Sequence, residues 1–135
     1  MLTVAPDDHE LRGLIGARLS SGLVLYVLDR VLGVGGMSTA FLAARPTTTG
    51  EARVVVKVTL PKLIKDFGDK AALAIRKEAV ALSRLNERSP PNPFVVRIID
   101  VNAVGARVGT ETLSLPWLAI ELVDSSPLRS TGSAP

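Results

Sequence analysis

Three groups of residues in this sequence have types and spacings suited to chemistry. The first is the run Leu32-Gly33-Val34-Gly35-Gly36-Met37-Ser38-Thr39-Ala40-Phe41. Closely spaced glycines let a backbone approach an anion and turn its N–H groups toward phosphate oxygens, which side chains there would obstruct. A glycine-rich hairpin with no ligand explains the run equally well. The second is Lys57, in the middle of the apolar stretch Arg53-Val54-Val55-Val56-Lys57-Val58-Thr59-Leu60. An unpaired ammonium is costly to bury, so it needs a counter-charge or a water-filled cleft. The third is Glu78, among Ile75, Leu82 and Leu85 at spacings of 3, 4 and 3, with the same difficulty and the opposite sign. Each charge supplies what the other lacks. Taken as an isolated pair, they read as a salt bridge that only joins a helix to a sheet.

The elements that must position these groups follow from pattern. Leu23-Val24-Leu25-Tyr26-Val27-Leu28 is β-branched and aromatic and predicts a strand, with a second over Ala40 to Ala44 beyond the glycine turn. Thr47-Thr48-Thr49-Gly50 supplies turn chemistry. Val54, Val56, Val58 and Leu60 then alternate along one face of a third strand, which Pro61 ends. Asp69 to about Leu85 contains no proline or glycine and is rich in alanine, which predicts a helix. Ser89-Pro90-Pro91-Asn92-Pro93 breaks the chain, and strands are predicted over Phe94 to Val101 and Leu113 to Val123, joined by a polar loop from Asn102 to Thr112. The reading is α+β, with five strands and one principal helix over residues 21–123. Residues 1–20 read as a lead-in containing a solvated His9, and the small polar residues 124–135 read as a disordered tail.

Composition bounds the function. A chain of 135 residues suffices for one compact domain and leaves no room for a second of ordinary size. A 47% hydrophobic and 21% charged composition, with a mean hydropathy of +0.31, excludes disorder throughout. The longest aliphatic-aromatic run, Leu23 to Leu28, falls far short of the roughly 20 residues a membrane helix needs. Asp7, Asp8 and Glu10 near the start do not read as a secretory signal. The absence of cysteine removes disulfides, thiolate metal sites and thiol nucleophiles, and fits a cytoplasmic location. Sixteen basic and 13 acidic residues give +3, but the basic residues are scattered and only 4% of the chain is aromatic, which argues against a nucleic-acid partner.

The order of glycine-rich hairpin, strand lysine and helix glutamate resembles the nucleotide-binding lobe of protein kinases. LGVGGMSTAFLA is similar to the LGxGGMGxVYLA of the eukaryotic-like serine/threonine protein kinases of bacteria, VVVKV to their VALKV, and RKEAVALSRL to their RxEAxALARL. PFVVRIID resembles the family's fourth strand and WLAIELV its fifth strand and hinge, so about Leu14 to Leu128 is covered in register. The resemblance implies a kinase N-lobe, a five-stranded antiparallel sheet with one principal helix and no second lobe, that binds ATP and positions it for phosphoryl transfer. Leu32 and Ala40 would pack on the adenine with Val55 above it. The backbone of Glu121 and Val123 would hydrogen-bond the adenine edge, and Ile120 matches the gatekeeper. Gly33, Val34, Gly35 and Gly36, with Met37 and Ser38 at the loop tip, would cover the phosphates. Lys57 would contact the α- and β-phosphates while Glu78 holds it in place.

Three positions depart from the family pattern: Ser38 replaces the third glycine, Ala40 a valine, and Val55 a small alanine. The last two changes offset each other in volume. The family's H-R-D base has no counterpart, because the only histidine is His9. Mg²⁺ is expected with ATP, yet its protein ligands are absent and no metal site is read. Asp66-Phe67-Gly68 spells the family's magnesium motif, but it lies between Lys57 and Glu78, where order makes it a chance tripeptide with Gly68 serving a turn. The expectation is therefore a truncated catalytic domain, inactive alone. Its competitors are a pseudokinase-like module that docks a protein on the face a second lobe would cover, a gene fragment without function, and, more remotely, a small basic nucleic-acid binder.

Overall fold

Strand-forming residues dominate the chain, and the computed structural model, which describes residues 1–85 and 94–124, gathers them into one curled sheet. Among the described residues the strands are β1 (Leu2–Val4), β2 (Arg18–Ser21), β3 (Val24–Val34), β4 (Ser38–Thr47), β5 (Gly50–Thr59), β6 (Phe94–Val108) and β7 (Glu111–Asp124). Two helices, α1 (Pro61–Phe67) and α2 (Lys70–Leu85), follow β5, and a 3-10 turn covers Arg12–Leu14. The strand order is β1-β6-β7-β5-β4-β3-β2. Neighbours are antiparallel except β1 and β6, which run parallel. No helix among the described residues is long and apolar enough to cross a membrane.

Among the described residues the five expected strands are therefore seven, and the expected principal helix, α2, is preceded by a shorter one, α1. β1 and β2 come from the first 21 residues, whose three- and four-residue strands are too short to show a period. Those residues are more than a lead-in: Leu11, Leu14 and Leu19 are at most 2% exposed and join the main core. Pro61 ends β5 as expected and also opens α1, where its fixed φ and missing N–H suit the first helical turn. Gly68, with φ 54°, closes α1 and gives its N–H to the Ile64 carbonyl at 2.8 Å.

The polar loop expected from Asn102 to Thr112 is instead the end of a long hairpin. β6 continues to Val108 and β7 begins at Glu111, leaving a two-residue turn in which Gly109 has φ 62°. Half-buried Val104 and buried Ala106 and Val108 form the inward face of that extension, with exposed Gly105 and Arg107 between them. Asp124 ends β7 and so belongs to the sheet, while the rest of the expected tail, 125–135, lies outside the described residues.

Curling puts the main core inside the sheet, where Tyr26, Phe41, Val56, Leu115 and Trp117 are at most 1% exposed. The curl is latched by side chains: Ser21 Oγ on β2 donates to Asp100 Oδ1 on β6 at 2.7 Å, and Tyr26 OH donates to Asp100 Oδ2 at 2.9 Å. Strand alternation sends Leu118 to the opposite face, where it is fully buried outside the main core. Ala71 and Ile75 of α2 are buried with it, because α2 packs on β6 and β7. This second face carries Lys57. The inward leucines expected at 82 and 85 have side chains outside the described residues.

Candidate functional site

β5 places Lys57 on the α2 side of the sheet, opposite Ala40 of β4 and Leu118 of β7. α2 brings Glu78 to it, and the Lys57 ammonium donates to Glu78 Oε1 in an ion pair. The two side chains are 28% and 22% exposed, so the pair is sheltered but reachable. It faces a concavity of about 600 Å³ between the β3–β4 hairpin (Gly35 to Ser38) and α2, where Ala74, Lys77, Glu78 and Ala81 line it. The two alanines leave room that longer helix residues would fill.

The hairpin is held by its own backbone: Gly35 N–H donates to the Ser38 carbonyl at 2.8 Å, and Leu60 N–H to the Met37 carbonyl at 2.9 Å. The N–H groups of Gly36 and Met37 take no partner among the described residues. None of Gly33, Gly35 and Gly36 has a positive φ. A Cβ at Gly33 or Gly36 would meet nothing within 4 Å, and at Gly35 the nearest atom, the Ser38 carbonyl oxygen, lies 3.5 Å away. Neither conformation nor packing within the chain demands glycine at these positions. What their lack of side chains provides is open backbone facing outward.

On the same sheet face lie half-buried Ala40, beside Lys57, and, beyond it, half-buried Val55 and Ile120, directly opposite each other in register. Past Ile120, β7 continues beside β6 to Asp124 but is no longer paired with β5. The backbone of Glu121 to Val123 thus has one edge with no strand partner among the described residues, next to Val55. The Glu121 carboxylate is occupied by Arg97 Nη2 at 2.7 Å, which leaves only its backbone for recognition. The side chain of Val123 is outside the described residues.

Most residues singled out from sequence thus gather on one face. Leu32 and Val34 are exposed on β3, and Met37 is exposed at the hairpin tip. Ser38 was expected at the tip but is the first residue of β4, 9% exposed and paired with Thr59. Asp66 and Phe67 end α1 and do not line the concavity. His9 is exposed in a turn near the start. Lys77 escaped the sequence reading; its signal was its place beside Glu78 on the helical stripe 74, 77, 78, 81. Among the described residues no three His, Asp or Glu side chains converge. The chain matches no model of a known protein family, and no curated protein is significantly similar to it.

Proposed function

We propose that this chain is the nucleotide-binding lobe of a eukaryotic-like serine/threonine protein kinase, and that it holds ATP between the glycine hairpin and the Lys57 face of the sheet. The observation that carries the reading is the Lys57–Glu78 ion pair, a mid-strand lysine met by a helix glutamate beneath a hairpin whose glycines the fold does not require. The strand order supports it as well: β3, β4, β5, β7 and β6 are contiguous, so hairpin, lysine strand and hinge-like strand lie side by side.

Each group has a part. Ala40, Val55 and Ile120 offer an apolar bed for a purine, and the edge of β7 at Glu121 to Val123, without a strand partner among the described residues, offers backbone hydrogen bonds to its rim. Glu78 fixes the Lys57 ammonium, which contacts the α- and β-phosphates through charge-assisted hydrogen bonds. The N–H groups of Gly36 and Met37, which take no partner among the described residues, would be available to the phosphates. Such a set binds and orients a nucleotide, which is most of what catalysis of phosphoryl transfer asks of a protein. Among the described residues the concavity's one carboxylate, Glu78, is taken by Lys57, so this set does not fit a magnesium ion.

Calorimetric titration with ATP tests the reading. Saturable binding is expected, weakened about tenfold or more in Lys57→Ala by loss of a charge-assisted contact. Equal affinity of the two proteins, or no binding, would remove it. A second reading, docking of another polypeptide on the hairpin beside this face, draws on its exposed Leu32, Val34 and Met37. It predicts association that rises with concentration in size-exclusion chromatography and falls in Leu32→Ser; a monomer at all concentrations with no partner bound counts against it.

A further inference from the structure

We infer that Lys77 is a second phosphate anchor and that the site discriminates polyphosphate chain length; this rests on the nucleotide reading above. Residues 74, 77, 78 and 81 form one stripe of α2, facing the hairpin across the concavity. Lys57 is committed to Glu78, whereas Lys77 is exposed and has no carboxylate partner among the described residues. Two ammonium groups against one carboxylate leave the lining of the concavity net positive among the described residues, and Gly36 and Met37 add two N–H donors with no partner among them. That charge balance calls for an anion.

The direction of the ligand follows from the strand. Val55 and Ile120 bound the nucleoside side of Lys57, and α2 bounds the other. A phosphate chain that starts beside Val55 passes Lys57 first and reaches Lys77 with its terminal group. Ala74 and Ala81 keep that path open. Lys77 therefore meets the terminal phosphate of a triphosphate and misses the single phosphate of a monophosphate.

The test is equilibrium binding of ATP, AMP and inorganic tripolyphosphate to the wild-type chain, Lys77→Gln, Lys77→Arg and Lys57→Ala, with Trp117 fluorescence confirming that each variant is folded. Lys77→Gln is expected to weaken ATP and tripolyphosphate about tenfold, as loss of one charge-assisted contact does. AMP should be unchanged, and Lys77→Arg should restore ATP. Lys57→Ala should weaken both nucleotides. If the wild type binds ATP and Lys77→Gln binds it equally well, or loses AMP and ATP alike, the anchor is overturned and the nucleotide reading stands. If ATP does not bind but tripolyphosphate does in a Lys77-dependent way, the anchor stands and the nucleotide reading falls. If neither ligand binds, both fall.

Discussion

Lys57 and Glu78 were legible because each broke an apolar pattern, and a charge inside such a pattern must find its opposite. The pair is partly solvated, so Glu78→Ala should cost about 1–2 kcal/mol in urea denaturation rather than the 3–5 of a fully buried pair. A neutral result would mean that water already carries the Lys57 charge. Tyr26 was not legible as a polar centre, because its partner Asp100 lies 74 residues away. Burial, and then the Asp100 carboxylate that accepts its hydrogen bond, push the Tyr26 hydroxyl up to about 12 from 10.0. With the folded value above the unfolded one, its stabilising contribution is complete below pH 10 and is lost as pH climbs from about 10 to about 12. Tyr26 is the only tyrosine, so phenolate absorbance follows it alone. A native midpoint near 12 that drops toward 10 in urea is expected; a native midpoint near 10 would refute the buried hydrogen bond.

Among the elements, the β3–β4 hairpin separates folding from function. Gly36 has no positive φ and open space at its Cβ position. Gly36→Ala should therefore leave stability unchanged or raise it by about 0.4–1 kcal/mol, through a less flexible unfolded chain. On the proposed nucleotide reading the same variant should weaken ATP binding, because the added methyl group would stand on the side from which the phosphates would approach. Urea denaturation and ATP titration on one preparation check both halves, and a loss of stability would show that the glycine serves the fold. The long strands and α2 were readable from period 2 and from the alanine-rich, breaker-free run. The β6–β7 extension was hidden because Asn102, Gly105, Arg107 and Gly109 read as loop residues, while Val104, Ala106 and Val108 alternated between them. α1 was hidden behind Pro61, which was read only as a stop although it also starts a helix.

For the whole molecule, the two strands that sequence pattern missed are the two edges, β1 and β2, while the five it found are contiguous in the middle. Edge strands this short carry no period of their own; they are held by core leucines and by the Ser21–Asp100 latch. The folding unit therefore begins within the first 20 residues. Leu14→Ala should cost about 2–5 kcal/mol by the cavity it opens, read from Trp117 fluorescence during denaturation. A cost below 1 kcal/mol would return those residues to the status of a lead-in. The curl keeps the main core inside and puts the concavity beside Lys57, bounded by α2 and the hairpin, on the outer face. That a nucleotide lies there, with its phosphates at Lys57, is tested most directly by an acyl-phosphate derivative of ATP, whose acyl group passes to a nearby lysine amine as ATP departs. Peptide mapping is expected to find the acyl group on the lysines that line the concavity, Lys57 and Lys77, with labelling suppressed by excess ATP; acylation spread over Lys62, Lys65 and Lys70 and insensitive to ATP would contradict the account.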